Sequence, residues 1–166
     1  MVTRRSILQA ITAGALPRAG AATINTRDFA RRVFRRINEL RVQSGASALE
    51  WSDAVAECAR QQSVRKVELR FPGHIDPARG DVAQRLNTAG ISWMRCGENI
   101  FMERGWEDPV NYAAVFWWYS PGHKANLLDP DFTATGVGLA QATDQTWFVT
   151  QIFVEPPAPK VRGRHG

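Results

Sequence analysis

Two runs near the C-terminal end restrict the fold most. Residues 135–142 and 146–154 read as strands, and Thr143, Asp144 and Gln145 between them supply the turn of a hairpin. In the second run Trp147, Val149 and Phe153 fall on one face, while Phe148, Ile152 and Val154 fall on the other. Both faces are mostly apolar. A sheet that is apolar on both sides must be covered by helices above and below. With a third strand starting near Glu98 and running through Ile100 and Met102, the expected fold class is α+β: a three-layer α-β-α sandwich with a small, mainly antiparallel sheet.

The rest of the chain supplies the helices. Phe29, Val33, Phe34, Ile37 and Leu40 recur at helical spacing, with Thr26 as a cap and Gly45 as a stop. Arg31, Arg32, Arg35, Arg36 and Arg41 occupy the other faces. Asp28 and Glu39 stand four residues from Arg32 and Arg35, so this reads as a solvated, ion-paired surface. Ser52 caps a second helix running toward Leu69, with Val55, Cys58, Ala59 and Val64 inward and Trp51 packing back over its first turn. Residues 81–89 form a shorter helix closed by Gly90. Asp108-Pro109 opens another that buries Val110, Ala113, Ala114, Trp117 and Trp118. Ser120-Pro121 then starts a short helix carrying His123.

A chain of 166 residues, 44% hydrophobic, accommodates one such domain. Its formal charge of +5 suggests nucleic acid, yet Arg4, Arg5, Arg18, Lys160, Arg162 and Arg164 lie at the two ends. The body between is close to neutral, which argues against a duplex-binding surface. Thr3-Arg4-Arg5-Ser6-Ile7-Leu8-Gln9, a short apolar stretch and Ala19-Gly20-Ala21 resemble a twin-arginine export signal cleaved near Ala21. The expected organisation is a signal over 1–21, a domain over 22–155, and a disordered Pro-rich, basic tail over 156–166 that includes His165. No apolar run is long enough for a transmembrane segment, so the product is expected in the periplasm or outside the cell. There Cys58 and Cys96 are compatible with a disulfide or with two buried thiols.

Three side chains carry the chemistry. His74 lies on the Phe71-Pro72-Gly73-His74 loop, Glu98 follows Gly97 where a strand begins, and His123 sits in Ser120-Pro121-Gly122-His123-Lys124-Ala125-Asn126-Leu127-Leu128. Two imidazoles and a carboxylate suit zinc, with one position left for water or ligand. They also suit metal-free proton transfer, in which the carboxylate orients a histidine. Ser120 beside His123 has the composition of a nucleophile and base, although a serine before proline at a helix start reads first as a cap.

At these residues the chain resembles the CAP superfamily, or SCP domain, of the short bacterial kind. The resemblance covers residues 26–154 and rests on Asn38-Glu39-Leu40-Arg41, His74-Ile75-Asp76-Pro77, Gly97-Glu98-Asn99-Ile100, the run from Trp118 through Leu127, Thr135-Gly136-Val137-Gly138 and Gln151-Ile152-Phe153. It implies the same sandwich and a groove holding two histidines and two acids. His74, Glu98 and His123 match, whereas Pro121 stands where eukaryotic members often carry the second acid. The family has been linked to sterol and other lipid binding, to proteolysis and to host interaction, with no common reaction. The leading expectation is therefore a binding protein whose groove, with His74, Glu98, Asn99, His123 and Asn126, takes a small molecule, lipid, peptide or envelope component. A divalent metal, zinc, would be held by His74, His123 and Glu98. The rival is a hydrolase, metal-dependent or metal-free, on the same groove; the third reading is a structural envelope module.

Overall fold

The computed structural model describes residues 25–105 and 109–158. The expected export signal, Asp108 and the tail beyond Ala158 lie outside the described residues. The elements are α1 (Thr26–Gln43), β1 (Glu50–Trp51), α2 (Asp53–Leu69), α3 (Val82–Thr88), β2 (Arg95–Arg104), α4 (Pro109–Tyr119), α5 (Pro121–Leu128), β3 (Ala134–Gln141) and β4 (Thr146–Glu155). The sheet order is β1-β3-β4-β2, with β4 antiparallel to both neighbours and β1 parallel to β3.

The two faces of β4 behave as its pattern demands. Trp147, Val149 and Phe153 join a core with Ala30, Val33 and Ile37 of α1, Ala113 and Trp117 of α4, and Leu127 of α5. Ile152 and Val154 point the other way into a second core with Val55, Cys58 and Ala59 of α2 and Leu86 of α3. The molecule is an α-β-α sandwich on a small, mainly antiparallel sheet. One contact is unusually close: a Cβ added at Gly136 would lie 2.1 Å from the Ala56 backbone N, and one at Gly138 2.0 Å from that of Arg60. Only glycine lets the α2 backbone rest directly on β3.

Several local expectations change. Asn25, not Thr26, is the α1 N-cap, its side chain accepting from the Asp28 N–H. Glu39 pairs with Arg36 at 2.9 Å. Arg41 is not on a solvated face. It is 1% exposed and its guanidinium donates to the carbonyls of Ser47, Leu127, Asp129 and Phe132. Those orphan carbonyls at the end of α5 and beyond need donors, and Arg41 supplies them. Trp117 is core, but Trp118 is only half-buried and has the Lys124 ammonium 4.0 Å above its ring. Cys58 and Cys96 both pack into the α2 side of the sheet as free thiols, so the bridge left open by the sequence is absent from this structure. Burial pushes both thiols above their ordinary range.

Candidate functional site

His74 lies on the loop between α2 and α3, a segment with almost no regular structure that is nonetheless held from three directions. Lys66, on the inward face of α2, donates to the carbonyls of Phe71 and Gly73 and lies 4.2 Å above the Phe71 ring. Arg85 of α3 donates to the carbonyls of His74 (3.0 Å) and Gly80 (2.8 Å). Asp76, 1% exposed, accepts from the backbone N–H groups of Ala78 and Arg79 and from the Arg65 guanidinium, while its backbone pairs with Gly80. Buried cations on carbonyls replace the hydrogen bonds that a strand or helix would have provided.

Glu98 of β2 faces this loop. Its carboxylate is 2% exposed; Oε1 lies 2.9 Å from His74 Nδ1, and Oε2 takes an N–H of Arg85. Because an ionised carboxylate only accepts, Nδ1 of His74 carries a proton, which leaves Nε2 as the ring nitrogen open to a ligand. The His74 side chain is 51% exposed, so that nitrogen can meet a ligand.

His123 reaches the same edge from α5. Asn99, next to Glu98, donates from its side chain to the His123 carbonyl at 3.1 Å. Asn126 donates to Asn99 Oδ1 at 2.9 Å and to the Glu98 carbonyl at 3.3 Å. Asn99 is fully buried, so the two asparagines strap α5 to β2. The His123 ring lies 5.5 Å from that of Phe116, and its Nδ1 is 2.9 Å from Ser120 Oγ. Ser120 occupies the N-cap position of α5, yet its hydroxyl makes no capping hydrogen bond. Burial pushes the His123 imidazole below its ordinary value, and the charge of His74 acts in the same direction. Both effects favour a neutral ring at neutral pH.

Both Glu98 oxygens are engaged, one of them by the permanent charge of Arg85, so the donors left open by the contacts above are Nε2 of His74 and Nε2 of His123. Among the described residues, no group of three His, Cys, Asp or Glu side chains is placed to hold a metal ion. What the arrangement can do without a metal is present two anchored imidazoles, one of them oriented by a carboxylate, to a ligand that donates or accepts a proton or hydrogen bond.

Arg85 and Lys66 were not among the residues singled out from the sequence. For Lys66 a signal existed: with Val55, Cys58, Ala59 and Gln62 it continues the inward stripe of α2, where a cation requires partners. Arg85 precedes Leu86 in a short helix whose periodicity covers barely two turns, and nothing local marks it.

Comparison with known proteins agrees with the fold. A profile of the Cysteine-rich secretory protein family, CAP, matches residues 34–153. The uncharacterized protein YkwD of Bacillus subtilis (strain 168) is 29% identical over 126 residues, 76% of this chain and 47% of that protein. The chain thus spans about half the length of that curated relative. An extracellular protein from Bacillus anthracis containing a SCP domain superposes with a TM-score of 0.67 at 28% identity, over 78% of this chain and 41% of the other. An outer surface protein from Borrelia burgdorferi gives a TM-score of 0.73 at 22% identity, over 81% of this chain and 97% of the other. With the profile covering most of the chain and the sandwich matching solved SCP domains, the protein belongs to the cysteine-rich secretory protein (CAP) family.

Proposed function

We propose that this CAP domain is exported and binds an amphiphilic ligand, a lipid, small molecule or peptide of the cell envelope, through His74 and His123. The observation that carries this reading is the anchoring of both rings by Nδ1, His74 on Glu98 and His123 on Ser120. Each ring is held in place by that contact. The Arg85 charge offsets that of Glu98, so the polar centre favours a hydroxyl or amide over a cation. Apolar surface flanks it: Ile75 is 68% exposed, Phe116 50% and Tyr119 80%. Exposed apolar side chains beside a polar centre suit a ligand with both characters. Export is supported by the extracellular and outer-surface descriptions of the two solved relatives. Among the described residues no helix is long and apolar enough to cross a membrane.

The test is titration with fatty acids, lysophospholipids and acetylated tripeptides, read by calorimetry. Saturable binding is expected for one class, weakened roughly tenfold in His74→Ala and in His123→Ala, in line with loss of one well-placed hydrogen bond and its packing. Identical behaviour of the wild type and both variants would overturn the reading. Treatment with a chelator is expected to leave binding unchanged.

A second reading draws on the His74–Glu98 pair, which has the form of a carboxylate-oriented general base. As a hydrolase the domain would turn over peptide or ester substrates, and Glu98→Gln would abolish turnover while the fold survives. Absence of turnover across such substrates would remove this reading.

A further inference from the structure

Ser120 is the single residue between α4 and α5, and its main chain is fixed on both sides. Its N–H donates to the Phe116 carbonyl at 3.2 Å, and its carbonyl accepts from the Lys124 N–H at 2.8 Å. A serine at a helix start ordinarily gives its oxygen to an N–H of the first turn. Here it does not. Among the described residues no side chain caps α5, and Ser120 Oγ lies instead 2.9 Å from His123 Nδ1.

The hydroxyl therefore faces a base. His123 is half-buried, and burial together with the neighbouring His74 favours its neutral form, so the ring has a lone pair to receive a proton at neutral pH. The same helix start is left open to an anion. Pro121 at the first helical position has no N–H, and the N–H groups of Gly122 and His123 are the ones a cap would have taken. They carry the positive end of the α5 dipole. Nothing lies within 4 Å of a Cβ built at Gly122, so a ligand can approach them.

We propose that Ser120 is a nucleophile served by His123, and that the chain hydrolyses carboxylic esters of apolar acyl groups through it. Oγ attacks the ester carbonyl while its proton passes to His123 Nδ1. The tetrahedral intermediate then collapses: the C–O bond to the leaving group breaks, the departing alcohol takes that proton, and the acyl group stays on Oγ. Water attacks the acyl-serine in the same way, releasing the acid and returning a proton to Oγ. The Gly122 and His123 N–H groups hold the oxyanion in both steps. Esters are favoured over amides because no carboxylate supports His123. Glu98 is committed to His74 and Arg85, and disabling the third group of a Ser-His-Asp triad costs about 10⁴-fold in rate. Phe116, its ring 5.5 Å from that of His123, and Tyr119, 80% exposed, offer the acyl group an apolar wall.

This nucleophile is distinct from a water activated on His74, so the two readings stand or fall separately. The test is made on the full chain with a fluorophosphonate probe and with p-nitrophenyl butyrate. A phosphonyl adduct on Ser120 is expected by peptide mass spectrometry, and a burst of p-nitrophenolate that leaves a butyryl group on the same residue. Ser120→Ala should abolish both while keeping its melting midpoint, since the hydroxyl caps nothing. Ser92→Ala, at an exposed serine, should leave both unchanged. His123→Gln should slow both by about a hundredfold or more. No adduct on Ser120 in the wild type, an adduct only on another residue, or an unchanged rate in His123→Gln would each overturn the proposal. Ester turnover with no acyl-serine, abolished by Glu98→Gln, would overturn it in favour of water activated on His74.

Discussion

Arg85 and Glu98 form an ion pair in which neither partner reaches solvent: their side chains are 0% and 2% exposed. The same guanidinium holds the His74 carbonyl and the same carboxylate holds the His74 ring. His74 is thus gripped at both ends by one buried pair, which makes the pair the keystone of the candidate site.

Arg85→Met should destabilise the fold by about 3–5 kcal/mol, since it strands a buried carboxylate. Adding Glu98→Gln should recover part of that loss, because an amide tolerates burial without a cation. Chemical denaturation of the two single variants and the double variant checks this; strictly additive losses would show that the pair does not act as a unit.

Stability should fall in mild acid through His123. Its folded pKa is lowered below 6.5 by burial and by the His74 charge, so the unfolded chain takes up a proton first as the pH drops. The favourable contribution is complete above about 6.5 and is lost as pH falls through the lowered folded value. Denaturation midpoints of the wild type and His123→Gln across pH 4.5–8 should diverge only in that acidic window.

Gly138→Ala should cost about 1–3 kcal/mol or more, because the new methyl meets the Arg60 backbone, which cannot rotate aside as a side chain would. Gly122→Ala is the control. Nothing lies within 4 Å of a Cβ there and the residue is in α5, so a gain of roughly 0.5–1 kcal/mol is expected. Thermal or denaturant unfolding separates the two outcomes.

Added zinc should bind weakly and indifferently to Glu98→Gln, because the carboxylate is committed to His74 and Arg85. Competition against a chromogenic chelator measures this. Loss of zinc affinity in Glu98→Gln would mean that the carboxylate leaves Arg85 to become a ligand.

The layering was legible because it follows from periodicity. Once Trp147, Val149 and Phe153 alternate with Phe148, Ile152 and Val154, helices on both sides become a requirement, and the cap at Ser52 sits where its side chain predicts. The two-residue β1 was not legible: a pair of residues has no period, and its strand character comes only from the β3 edge beside it. Arg41 misled for a related reason. Its place on α1, one turn beyond Ile37, admits either solvent or the protein, and the unsatisfied carbonyls that draw it inward come from α5 and the segment after it, 86 to 91 residues away in sequence.

The candidate site divides in the same way. Residue chemistry together with the resemblance of the surrounding motifs to the CAP superfamily nominated His74, Glu98 and His123. What each nitrogen and oxygen is bonded to was decided by tertiary structure. Arg85 and Lys66 arrive from α3 and α2 to match charges and carbonyls that burial has cut off from water, and that demand exists only after the chain has closed around them.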